Sequence, residues 1–299
     1  MKRVWTADFI LLLLNVLWGY CFILIKQLLV EIPPYFLLAI RFLLAGFLLL
    51  PFQYKALLNA SRREIFWYLL CGIALGSGFV LATEGMVTTN PGKAGVIIGS
   101  LVVFVPILSY FLLKDSISYA VIAGTCSTFA GLCFISLDGV SHITEINHGD
   151  LLLLLAAIAY AFHVVVVNKT YSKLENVKPL LLALVQIFTV GFMGLILSSS
   201  LESFPAKLSP FALYGISFLS ILGSLLAYIV QMWAQKYSPA PHVGVILSTE
   251  AVFACIFSYF ILGEAFTLFM WIGGMLVLIG NLFTQEILSF GRRHATKTR

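Results

Sequence analysis

An all-α membrane protein of ten transmembrane helices, built as two inverted five-helix halves, is the fold class this sequence predicts. Three observations carry it. The mean hydropathy of +1.02 comes with only 10% charged residues, too few to wet the surface of a soluble domain of 299 residues. The chain then divides into ten apolar stretches, each of about the 20 residues that a helix needs to cross the hydrocarbon. Finally, the first half reads onto the second at an offset of about 149 residues. Runs such as Leu11 to Leu14 and Leu151 to Leu155 lack the alternation of barrel strands, and in lipid an isolated segment satisfies its own amides only as a helix.

Taken in order, the spans fall near 8 to 26, 34 to 52, 65 to 87, 94 to 113, 117 to 137, 149 to 168, 179 to 199, 210 to 234, 241 to 262 and 267 to 287. The first follows Met-Lys-Arg, as a secretory signal would, but no small-residue cleavage pattern follows and the run holds Asn15, Trp18 and Tyr20, so it reads as a mature helix. The second opens at Pro34 and carries Arg41, while the third holds Gly72, Gly76 and Gly78, small enough for close helix contact, and then Glu84. Pro91 punctuates the turn into the fourth, and Pro106 inside it removes a backbone hydrogen bond and predicts a kink. The sixth carries Tyr160 and His163, the seventh Gln186, and the eighth Gly215, Gly223, Tyr228 and Trp233. Pro239 and Pro241 precede the ninth, which holds Glu250, and a basic tail follows the tenth.

The offset of 149 pairs Gly95 with Gly244, Phe104 with Phe253, Ser109-Tyr110-Phe111 with Ser258-Tyr259-Phe260, Asp115 with Glu264, Gly124 with Gly273 and Gly131 with Gly280. Slightly smaller offsets pair Asp8 with Asp150, Trp18-Gly19-Tyr20 with Tyr160-Ala161-Phe162, Pro34 with Pro179, and Gly76-Ser77 with Gly223-Ser224. Ordered matches of Gly, Ser, Tyr and acidic residues exceed what shared apolarity gives. Five helices per half is odd, so the second copy enters the membrane upside down, which predicts a site near the midplane between the halves. The expected division is a first repeat over 1–138, a linker over 139–148, a second repeat over 149–287 and a basic tail over 288–299.

Orientation follows from Lys and Arg. With both termini on the cytoplasmic side, the inner segments hold Lys2, Arg3, Lys55, Arg62, Arg63, Lys114, Lys169, Lys173, Lys178, Lys236, Arg292, Arg293, Lys297 and Arg299, against Lys26, Lys93 and Lys207 outside. The net charge of +5 therefore marks loops beside anionic lipid rather than a nucleic-acid surface. The expected location is the plasma membrane, a bacterial inner membrane, with the bilayer as partner and either a monomer or a homodimer left open. Five cysteines inside spans behave as small apolar residues, and no disulfide, cofactor or metal framework is legible. His142, Glu145, His148 and Asp150 share one outer loop and read as solvated. Nucleophile-elbow, phosphate-loop and zinc-protease motifs are all missing from the sequence, so no enzyme is expected.

Charges inside the spans are the sharpest signal, because one at the bilayer centre costs about 2.5 to 3.5 kcal/mol on insertion scales. Glu84, Glu250 and Arg41 are such charges, and a zwitterion between the acids and Arg41 would meet both signs. A buried ion pair locking two helices is the structural alternative. Trp18, Tyr20, Tyr160 and Trp233 are candidates to stack on cargo, with helix packing as the alternative, and His163 reads as a packing residue. Pro106, Gly76 and Gly223 are the expected hinge and gating positions. Gln186 stands opposite Arg41 in the repeat, so one half offers an anion contact that the other lacks.

The segment from Trp18-Gly19 to Lys26, with Pro33-Pro34 and Arg41-Phe42, resembles the first two helices of the drug/metabolite transporter superfamily, in its ten-helix branch with two EamA-type repeats. Thr249-Glu250-Ala251-Val252-Phe253-Ala254 with Gly263-Glu264 resembles that family's penultimate helix and turn, except that many members carry Pro where Ala251 stands. The resemblance covers almost the whole chain. It implies a secondary transporter of small organic metabolites, which for this chain reads most simply as amino acids or amino-acid-like zwitterions moved by alternating access, through proton coupling or exchange. Glu84 or Glu250 would carry the proton. The alternatives are an exchanger of a larger nucleotide-linked or sulfonium cofactor, and a non-transporting membrane scaffold or receptor.

Overall fold

The computed structural model describes residues 2–114, 117–138, 147–205, 207–263 and 267–295, with the side chains of 2, 136–138 and 284–295 excepted. The loop positions His142 and Glu145, the paired acids Asp115 and Glu264, and the last four residues of the tail lie outside the described residues. Ten helices run through the rest: α1 (Arg3–Leu28), α2 (Pro34–Leu58), α3 (Arg62–Thr88), α4 (Pro91–Leu113), α5 (Tyr119–Asp138), α6 (His148–Lys173), α7 (Pro179–Leu201), α8 (Pro210–Gln235), α9 (Ala240–Leu262) and α10 (Leu268–Ala295). Eight of them are long and apolar enough to cross a membrane, and α5 and α10 hold shorter apolar stretches, Tyr119–Ile135 and Leu268–Phe283. No strand occurs among the described residues.

Local chemistry sets the starts. Proline occupies the first turn of α2, α4, α7, α8 and α9, where its missing N–H would be unpaired in any case. The starts of α3 and α6 carry full capping boxes, Ser61 with Glu64 and Asn147 with Asp150. At the other ends of α4 and α9, Lys114 (φ 59°) and Gly263 (φ 71°) both take the left-handed conformation, and they are partners in the sequence repeat.

Packing runs mostly between the halves. Helix α1 lies on α9 as α6 lies on α4, and α1 lies on α8 as α6 lies on α3; α2 pairs with α7 and α5 with α10. Exchanging the halves maps this list onto itself, which is the signature of an internal two-fold axis in the membrane plane and hence of inverted repeats. Side chains obey the same operation. Ser248 Oγ donates to the carbonyl of Gly99 (2.9 Å) and Ser127 Oγ to that of Leu276 (2.9 Å), each pair 149 residues apart, so each bond joins equivalent positions. Between α5 and α10, a Cβ on Gly131 would stand 2.5 Å from the Gly273 carbonyl, and one on Gly280 would stand 2.6 Å from that of Gly124. No other residue fits at that approach without parting the helices.

Two helices are interrupted at mid-depth, and the interruptions are also repeat partners. In α4 the break falls at Ser100 (φ −60°, ψ −10°), whose Oγ donates to Ile97 O at 2.6 Å. In α9 it falls at Ser248 and Thr249, where Thr249 Oγ1 and the Asn15 amide both donate to Ile246 O, at 2.7 and 2.6 Å. The break comes one to two turns before Pro106, which itself lies inside the following helical segment, on the buried face of α4. At both breaks the hydroxyl is a second donor to a carbonyl that already accepts the backbone N–H three residues on, which fits a locally tightened turn. In α8, residues Leu219–Leu226 form a wider π-helical turn.

Candidate functional site

Residues flanking both interruptions, Ile98 and Leu101 in α4 and Leu247 and Glu250 in α9, line one cavity of about 90 Å³. Its walls come from α1, α2, α3, α4, α6, α8 and α9, so both halves build it. On α3 the lining residues Phe79, Ala82, Thr83 and Met86 fall three or four apart, one face of a helix; on α1 the same holds for Trp18, Cys21, Phe22 and Ile25.

One basic and one acidic residue, Arg41 and Glu250, are among its lining residues. Arg41 is 3% exposed; its Nε donates to Ser224 Oγ (2.7 Å) and an Nη donates to the Gly223 carbonyl (3.4 Å). That carbonyl lies in the π-helical turn of α8 and also accepts from Trp18 Nε1 at 3.2 Å. The guanidinium lies 4.9 Å from the centre of the Phe42 ring and 5.2 Å from that of Phe79, close enough for attraction to both faces. Around it Trp18, Phe42, Phe79, Tyr160 and Tyr228 form a continuous set of ring contacts at 4.8 to 6.1 Å.

Glu250, 7% exposed, is the first residue after the α9 break. Among the described residues its carboxylate makes no hydrogen bond and no ion pair, and Arg41 makes no ion pair either. The repeat is broken at both positions. Gln186 stands opposite Arg41 and Leu101 opposite Glu250, so each charge is a feature of one half only.

Of the residues that the sequence proposes for cargo, the cavity brings together Arg41, Glu250, Trp18 and Tyr160. Three lie elsewhere. Glu84 is a step around α3 from the lining face and sits beside Tyr35 of α2, half-buried. Tyr20 points away from the cavity face of α1 and packs edge-on against Phe218 and Phe257, at 5.2 and 5.7 Å. Trp233 packs on Tyr237 at 5.4 Å. Of the hinge positions, Gly223 supplies the shared carbonyl of the site, while Gly76 is where α3 meets Met193 of α7, whose Sδ would stand 2.5 Å from a Cβ there. His163 lines the cavity and its Nε2 pairs with Gln186 Oε1 at 2.6 Å, so it is a wall held in place.

Cys21, Phe79, Thr83 and Gln231 also line the cavity. Sequence reasoning misses them because uncharged or apolar residues in an apolar helix look like packing. Ser224 is legible through the Gly76-Ser77 and Gly223-Ser224 match.

Comparison with known proteins bears on the family and the fold. The EamA-like transporter family model matches residues 5–137 and again 147–284. An uncharacterised transporter of Archaeoglobus fulgidus is 30% identical over 95% of this chain and 87% of its own length. The uncharacterised transporter YoaV of Bacillus subtilis is 24% identical over 90% of this chain and 94% of its own. A WAT1-related chloroplastic protein of Arabidopsis thaliana is 26% identical over 88% of this chain and 65% of its own. One solved crystal structure superposes with a TM-score of 0.75 over 96% of this chain and 98% of the other at 14% identity, a likeness of fold.

Proposed function

Because the chain belongs to the EamA-like transporter family and is a multi-pass membrane transporter, we propose that it moves small organic zwitterions, amino acids or their close relatives, by alternating access of its two halves. One observation carries this reading: Arg41 and Glu250 line the same buried cavity and are not paired with each other. Burying both charges as a pair would be the cheaper structural arrangement. Left apart, they present a cation to a cargo carboxylate and an anion to a cargo ammonium, with the rings of Trp18, Phe79 and Tyr228 available for an apolar side chain.

The same reading supplies the energetics. A carboxylate alone in a low-dielectric chamber is costly, so Glu250 holds either the cargo ammonium or a proton, and the two compete. That competition gives proton coupling, or exchange of one cargo for another. The substrate is a small molecule, and chemistry on it is not part of the proposal. For orientation, Lys114, Lys169 and Lys173 from α4 and α6 gather around one cleft at the end where α1 begins, which supports a cytoplasmic setting for that end and for both termini, in a plasma membrane of bacterial inner-membrane type. The repeats are taken to span 1–138 and 149–287.

Purified protein in liposomes, given labelled amino acids with and without an inward pH gradient, tests the reading. Uptake or counterflow of at least one zwitterion is expected, with the gradient raising its rate. Equal flux under both conditions eliminates proton coupling, and the absence of both uptake and counterflow across the amino-acid set eliminates the cargo class.

A further inference from the structure

Two polar clusters related by the internal two-fold axis lie at opposite ends of the helix bundle. Where α1 begins, Ser238 Oγ donates to Asp8 Oδ1, and His242 Nδ1 stands 3.9 Å from Asp8 Oδ2. At the other end Thr89 Oγ1 donates to Asp150 Oδ1 (3.1 Å) and Lys93 Nζ to Asp150 Oδ2 (2.6 Å). The three members correspond one to one in the repeat: Asp8 with Asp150, Ser238 with Thr89, His242 with Lys93. The donors Asn168 and Lys26 are also repeat partners: Asn168 donates to the Ser238 carbonyl (3.0 Å), and Lys26 to the carbonyls of Met86 and Val87 (2.9 Å each), two to three residues before Thr89.

The clusters differ in chemistry and in exposure. One is ionic, with Lys93 and Lys26 on its carboxylate and carbonyls; in the other both lysine positions hold an imidazole and an amide. The Asp8 and His242 side chains are each 4% exposed, whereas that of Lys93 is 41% exposed. Between the cavity and the sealed cluster, successive turns of α8 present Gln231 and Gln235, both buried. Among the described residues, Gln231 Oε1 and both amide atoms of Gln235 have no hydrogen-bond partner, nor do the ring nitrogens of His242. Unpaired buried amides are costly in a purely structural core, and they suit a wall that meets water or cargo in another state.

We propose that Asp8, Ser238 and His242 form the gate at the end where α1 begins, that Asp150, Thr89 and Lys93 form the gate at the opposite end, and that transport alternates by breaking one set while the other holds. The proposal rests on the alternating-access reading but not on the identity of the cargo. Weakening either gate shifts the population toward the state open at that end.

Native Cys21, which lines the cavity, is the reporter once Cys71, Cys126, Cys133 and Cys255 are replaced by Ser. A membrane-impermeant maleimide is applied to vesicles of known sidedness, first from one face and then from the other. Asp8→Asn is expected to raise Cys21 labelling about tenfold from the face where α1 begins and to lower it from the other face, and Asp150→Asn to do the reverse. Shifts of the same sign in both variants, or none in either, overturn the proposal. Should an Asn variant fail to fold, Ser238→Ala against Thr89→Val makes the same comparison. Labelling needs no cargo, so a wrong cargo class leaves this result unchanged, and failed gates leave cargo binding testable.

Discussion

Arg41→Lys is expected to lower cargo uptake by about 100-fold at equal protein level. Lysine keeps the charge, so the electrostatic attraction for a carboxylate persists; what it loses is the planar fork. In the structure that fork is already divided, with Nε on Ser224 and one Nη on Gly223, leaving the remaining N–H groups of the guanidinium to meet cargo while the group is held still between Phe42 and Phe79. An ammonium cannot bond Ser224 and a carboxylate in the same geometry, and its stronger hydration works against a chamber walled by rings. Loss of one well-placed charge-assisted bond and of the stacking amounts to about 2 to 3 kcal/mol, which is the stated fold-change. Uptake kinetics should place the loss in cargo affinity. Arg41→Met should abolish uptake and also lower thermal stability, because the Gly223 carbonyl and Ser224 are then left without that donor.

Glu250→Gln separates binding from coupling. The amide is nearly isosteric, and because the carboxylate makes no hydrogen bond or ion pair among the described residues, the fold loses no bond by the change. Stability should therefore hold within about 1 kcal/mol or rise, since an ionisable group has been removed from a buried place. Uptake of a zwitterion should fall by about 100-fold because the ammonium has lost its counter-charge, and whatever flux remains should no longer respond to a pH gradient. Measured side by side, retained thermal stability with lost coupling assigns Glu250 to the transport cycle. A large loss of stability with unchanged coupling would assign it to the architecture.

Much of the fold was legible because the membrane imposes its own grammar. Apolar runs of the right length mark the helices, and the paired glycines of α5 and α10 mark the repeat, since the two-fold axis demands a small residue at both members of each crossing. The charge signal was half legible. Arg41, Glu250 and Glu84 all stand out in apolar runs, but a run reveals only that a charge is buried in a helix, not which way it faces. Glu84 lies one position from the lining residue Thr83, about 100° around the axis, and so meets Tyr35 rather than the cavity. Tyr20, two positions from Trp18, turns away for the same reason. The helix breaks were hidden behind a louder signal. Proline at 106 announces a missing bond, while Ser100 and Thr249 mark their breaks with hydroxyl bonds that are invisible until the partner carbonyls are known. The gates were hidden in a different way: Asp8 and Asp150 match on sight, but the cluster around each acid forms only when α1 meets the start of α9, and α6 that of α4.

The claim on which the rest depends is that Arg41 and Glu250 hold opposite ends of one cargo, and thermal stabilisation by a matched set of ligands tests it most directly. For an amino acid that the wild-type protein transports, the zwitterion, its carboxamide and its N-acetyl form differ in one charge each, and a ligand bound at 100 times its Kd raises stability by about 2.7 kcal/mol. The account predicts that the zwitterion stabilises the wild-type protein while the carboxamide and the N-acetyl form do so far less, and that the zwitterion's effect is lost in both Arg41→Met and Glu250→Gln. Equal stabilisation of the wild-type protein by all three ligands, or loss of the zwitterion's effect in neither variant, would contradict it.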